Sequence, residues 1–174
     1  MAITPDSKDW TWVLSEPCPE CGFDPARLDP REVAGLVRQS VPRWQLALER
    51  GDAAERPDES TWSVVEYACH VRDVFTLFSE RVALMLTQDD PTFANWDQDA
   101  TAMEQDYAAQ HAATVLPQLA AAAELAAASF ESVPDDAWDR TGRRSNGSVF
   151  TVATLAQYFW HDLEHHLHDV RADQ

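Results

Sequence analysis

Four stretches of this chain repeat apolar side chains at helical spacing. The links between them are marked by proline and clusters of turn-forming residues, and no stretch carries a convincing strand alternation. Asp29 followed by Pro30 reads as an N-cap with proline at the first helical position. Val33, Leu36, Val37, Val41, Trp44 and Leu48 then continue the helical period, with a kink expected at Pro42. A polar link over residues 51–59 leads to Ser63-Val64-Val65-Glu66, a capping-box pattern opening a second helix that runs to about Leu86. A loop with Phe93 and Trp96 precedes a third, alanine-rich stretch over residues 99–131, bent or split near Pro117. Residues 134–148 read as a loop too polar and broken for a regular element, and a last helix spans residues 151–170. The expected fold class is therefore all-α: a four-helix bundle over residues 29–174, preceded by an irregular N-terminal arm over residues 1–28. In that arm Trp10, Trp12 and Phe23 are expected to pack on the body.

Composition narrows the function. With 174 residues and 45% apolar content the chain can bury one good core. Its 30 acidic and 13 basic residues give a net charge of −17, which repels nucleic-acid backbones and anionic membranes. No start resembles a secretion signal, and no run reaches the roughly 18 consecutive apolar residues of a membrane span. Three cysteines, Cys18, Cys21 and Cys69, are too few for a disulfide framework and fit a reducing cytoplasm.

Chemistry concentrates in the last helix, Phe159-Trp160-His161-Asp162-Leu163-Glu164-His165-His166-Leu167-His168. His161 and His165 stand one turn apart, the spacing at which two imidazoles share a metal. Val152, Leu155, Phe159, Leu163, Leu167 and Val170 form an apolar stripe opposite His161, so the histidines occupy a face of their own. Such a face also suits histidines in water. In the second helix, His70 shares its face with Tyr67, Val74 and Leu77 and is expected to look inward, where a buried imidazole needs a partner.

Trp62-Ser63 with Glu66 and His70, followed at a distance by His161-x-x-x-His165, resembles the DinB and YfiT-like family of metal-binding helix bundles over residues 29–170. The resemblance implies a divalent metal held by His70, His161 and His165. Three imidazoles suit zinc, nickel or iron(II), and three protein ligands leave coordination positions open. It further implies kinship with the actinobacterial branch that activates a low-molecular-weight thiol, mycothiol or in other bacteria bacillithiol, against an electrophile.

Several residues remain beside this site. Arg143 and Arg144 are a rare basic pair, either solvated or poised to receive an anionic group of the thiol or substrate. His168 is a reserve ligand, His166 is peripheral, and Asp162, Glu164 and Asp169 are left outside the site. Cys18-Pro19-Glu20-Cys21 is a single CxxC with three readings: free thiols, a reversible disulfide, or part of a second metal site. Cys69 reads as core, as do most of Trp44, Trp62, Trp96, Trp138 and Trp160. The leading expectation is a metal-dependent thiol S-transferase with a small thiol and an electrophile as partners. The alternatives are a non-catalytic metal-binding module and a metal-assisted hydrolase. Homodimerisation through a bundle face is a further expectation.

Overall fold

The computed structural model describes residues 9–172. Its frame consists of α1 (Val33–Leu48), α2 (Val64–Thr87), α4 (Ala112–Glu131) and α5 (Val152–Asp169), with α4 packed on α1 and α2, and α5 packed on the same two helices. A short α3 (Gln98–Glu104) lies between α2 and α4 in the chain and packs on α2.

Two of the long helices, α2 and α5, begin with a reciprocal side-chain cap. Ser63 Oγ accepts from the Glu66 amide while the Glu66 carboxylate accepts from the Ser63 amide, the reciprocal box expected for α2. Glu66 also pairs with the Arg56 guanidinium, so the link before α2 is tied to its first turn. At the other end of α2, Arg140 donates to the Met85 carbonyl at 2.6 Å and to the Gln88 carbonyl at 2.6 Å, satisfying acceptors that the helix terminus leaves open. Thr151 and Thr154 cap α5 in the same reciprocal way.

Three details depart from expectation. Asp29 caps a 3-10 turn, Pro30–Glu32, and the α-helix proper starts at Val33 and continues through Pro42. The break in the third stretch falls before α4, at Asp106 with φ +49°, while Pro117 lies in the second turn of α4 and leaves that helix intact. Residues 134–148 contain a strand. β2 (Thr141–Arg144) pairs antiparallel with β3 (Val149–Thr151) and parallel with β1 (Thr92–Phe93). Strands of two to four residues are too short to write a period into the sequence. At Gly142 an added Cβ would lie 2.8 Å from Met85 Cγ, so glycine lets β2 settle against α2.

The core is centred on α5. Val152, Leu155, Phe159, Leu163 and Leu167 are fully buried, each contributing about 1.5–3 kcal/mol of apolar transfer. The Phe159 ring lies 4.8 Å from that of Phe78 and 5.3 Å from that of Phe130, joining α5 to α2 and α4. By length and composition α4 is apolar enough to cross a membrane, but its Val115, Leu119, Ala123, Ala126 and Ala127 are packed inside the bundle.

The arm is built from 3-10 turns at Trp10–Leu14 and Pro25–Arg27. Val13, Cys18 and Phe23 are buried and Trp10 and Trp12 are half-buried, covering one side of α5 as expected.

Candidate functional site

With the apolar stripe of α5 locked into the bundle, its polar residues divide between two directions. His161 and His165 turn toward the arm, whereas Asp162 and His166, about 100° further round, turn toward α2. Among the described residues the candidate donors consequently form two groups. Cys18, Cys21, His161 and His165 make one; His70, Asp162 and His166 make the other. In each group the donor atoms lie within 4.8 Å of one another.

The sequence reading joins His70 with His161 and His165, and the structure separates them. Phe23 stands edge-on to His161 at 5.4 Å, and Trp10 lies 5.5 Å from His161 and 4.9 Å from His165, so the arm covers the face these histidines share. Asp162 and His166 are the residues that meet His70. They were visible as a second i, i+4 pair, offset by one residue from His161 and His165. His168, the reserve ligand, is 54% exposed with Nδ1 3.9 Å from Asp169, and belongs to neither group.

At the α2–α5 group, His70 Nε2 is 3.9 Å from Asp162 Oδ2, and His166 Nε2 is 3.8 Å from the same oxygen. Both nitrogens of His70, 1% exposed, are buried without a hydrogen-bond partner, as is Asp162 Oδ2. Metal–donor lengths of about 2.0–2.2 Å at a tetrahedral angle set donors about 3.3–3.6 Å apart, so a small inward adjustment gives this set the spacing of a divalent-cation site. His166 Nδ1 meets Asp169 Oδ2 at 3.1 Å, the carboxylate support that orients an imidazole ligand.

Burial dominates the electrostatics. It drives His70 well below the usual imidazole range, with His166 adding to the effect, so His70 is neutral and its lone pair available. Burial likewise raises Asp162 above the ordinary carboxylate range. Asp169 is pushed up by burial, but its hydrogen bond to His166 and the surrounding histidines outweigh this and hold it low. On the arm side, burial takes His161 down to about 4 and Cys21 up to about 12.

Next to His70 and Asp162 is a cavity of about 100 Å³, also lined by Arg81, Trp96, Arg144 and Tyr158. Arg81 is 5% exposed, with its guanidinium over Phe78 and Phe93, and Arg144 stacks over Phe150 and Tyr158 at 5.4 Å from each. Both Nε atoms are buried without a hydrogen-bond partner, and burial beside Arg144 lowers Arg81 to about 10. The sequence pair Arg143 and Arg144 is split: Arg143 bonds Asp90 at 2.7 Å on the outer side, and Arg144 alone lines the cavity. Arg81 was not read as functional, because an arginine inside a helix looks like a solvated residue until the fold is known.

The DinB superfamily model matches residues 51–170. This chain belongs to the DinB superfamily. The DinB match begins later than the residues 29–170 of the sequence resemblance, and no curated protein matches. The DinB chain is also similar to a solved structure of YfiT from Bacillus subtilis, described as a probable metal-dependent hydrolase with an unusual four-helix bundle topology. The TM-score is 0.71 at 17% identity, covering 83% of this chain and 85% of that one. The four-helix bundle expected for a DinB protein is thus present, with a small sheet as a minor addition.

Proposed function

We propose that this protein is a divalent-metal-dependent enzyme that turns an activated water on a small anionic substrate. The observation that carries the reading is the convergence of His70, Asp162, Arg81 and Arg144 on one cavity, with His166 completing the donor set. His70, Asp162 and His166 would hold a divalent ion, which when bound would supply Lewis acidity to activate water and polarise a carbonyl. Zinc suits this donor set, and nickel and iron(II) accept it as well.

The protein residues do the rest. His70 is presented neutral, its ring stacked on Trp96 at 5.2 Å, which fixes its plane. Asp169 fixes the orientation of His166. Arg81 and Arg144 offer buried cationic N–H groups to a carboxylate or other anion, strengthened by exclusion of water. The cavity, about 100 Å³ and lined by both cationic and aromatic side chains, suits an acidic group on a small substrate. The description of YfiT as a probable metal-dependent hydrolase supports water as the nucleophile.

A second reading is transfer of a low-molecular-weight, mycothiol-type thiol. The buried Arg81 and half-buried Arg144, facing one cavity, favour it because they suit an anionic electrophile. The test is to load the protein with zinc, nickel or iron(II) and assay small carboxylate-bearing esters and amides without thiol, then anionic electrophiles with mycothiol. Thiol-independent turnover, lost at least about 100-fold in Asp162→Ala, is the expected result. Strictly thiol-dependent consumption replaces hydrolysis by transfer, and metal-loaded protein with no turnover in either panel leaves a non-catalytic metal-binding module.

A further inference from the structure

We infer that Cys18, Cys21, His161 and His165 form a second, closed metal site of the zinc type that fastens the N-terminal arm to α5. All four donors are buried or half-buried, and each reaches the others within 4.8 Å. Cys18 Sγ lies 3.7 Å from His165 Nδ1. A zinc with Zn–S of about 2.3 Å and Zn–N of about 2.0 Å places neighbouring S and N donors about 3.5 Å apart at a tetrahedral angle.

The arm is shaped for the task. The Cys18 amide donates to the Phe23 carbonyl at 2.8 Å, and the Gly22 amide donates to the Cys18 carbonyl at 3.0 Å. Gly22 sits at φ +77°, where a side chain is strained, so the chain reverses tightly and brings both sulfurs to α5. On α5, the i, i+4 spacing delivers the two imidazoles. His161 Nε2 is buried with no hydrogen-bond partner. His165 turns Nδ1 to Cys18 and Nε2 to Glu20 at 3.5 Å and Asp169 at 3.8 Å, carboxylate acceptors of the kind that support a ligating histidine.

Two thiolates and two neutral imidazoles balance the charge of a divalent ion, so the assembled site suits burial. Four protein donors leave no position open, and Trp10 and Phe23 lie against the imidazoles, which makes this a structural centre. Binding releases the two thiol protons to solvent, with no change of oxidation state.

The inference stands apart from the proposed enzyme activity, because only this site offers sulfur. Full-length, reduced wild type is reconstituted with cobalt(II) and its absorption recorded. A thiolate-to-cobalt charge-transfer band is expected, retained in His70→Ala and lost in the Cys18→Ser/Cys21→Ser double variant. On wild type, zinc is expected to slow alkylation of Cys18 and Cys21 by at least about 10-fold, a readout that needs no variant to fold. Absence of the band together with unprotected thiols overturns the site. A Cys18–Cys21 disulfide in the isolated protein, with no metal uptake after reduction, overturns it as well.

Discussion

Asp169 is the residue on which both candidate donor groups lean. One carboxylate oxygen bonds His166 at 3.1 Å and the other faces His165 at 3.8 Å. Asp169→Ala is therefore expected to weaken metal binding about 10- to 100-fold at both centres, measured by competition with a chelator, while Glu164→Ala, whose carboxylate is engaged by Arg43, leaves it unchanged. The two arginines of the β2 strand predict a second contrast. Loss of one charge-assisted hydrogen bond in Arg144→Leu is expected to raise KM for an anionic substrate about 10-fold, and Arg143→Leu, tied to Asp90 outside the cavity, to leave KM unchanged. Residue types were legible in the sequence here, but partners were not. His70 is buried as expected, yet the choice between two histidine-bearing pairs on α5 depends on a rotation of about 100° that the packing of its apolar stripe sets.

At the scale of elements, α2 is anchored at its start by Glu66, whose side chain is 4% exposed and joined to Arg56 and the Ser63 amide. Burial alone would raise this carboxyl, but the hydrogen bonds from Arg56 and Ser63 win and its pKa falls below the ordinary 4.5. A carboxylate lowered in the folded state adds stability above its unfolded pKa and loses it as pH falls through the folded value. Glu66→Gln is expected to cost about 2 kcal/mol by urea denaturation at neutral pH, with the difference from wild type shrinking as pH drops below 4.5. The capping box was fully legible, since Ser63 and Glu66 interact within one turn of chain. The three-stranded sheet was not, because its pairing of Thr92 with Arg143 joins residues distant in sequence. Pro117 misled because a proline inside a helical stretch usually marks a break, whereas α4 runs through it and the real break at Asp106 carries no proline.

At the scale of the molecule, α5 acts as a shared wall. Its apolar stripe closes the bundle, one polar face completes a cavity with α2, and the next holds the arm. The arm is consequently expected to depend on metal for its attachment. Chelator treatment of reduced protein should accelerate proteolytic cleavage near Pro17 and Pro19 well before the bundle itself unfolds, followed by mass spectrometry of the fragments. The bundle and DinB membership were readable from helical periods and from the His70 and final-helix pattern, but the division of the candidate donors into two groups required three-dimensional proximity between the arm and residues far along the chain. The most direct test is elemental analysis of reconstituted, untagged wild type beside His70→Ala, His161→Ala and the double variant. Two separate centres predict about two equivalents of metal in wild type, about one in each single variant and none in the double. One equivalent in wild type, lost completely in both single variants, would contradict the account and restore a single site shared by His70 and His161.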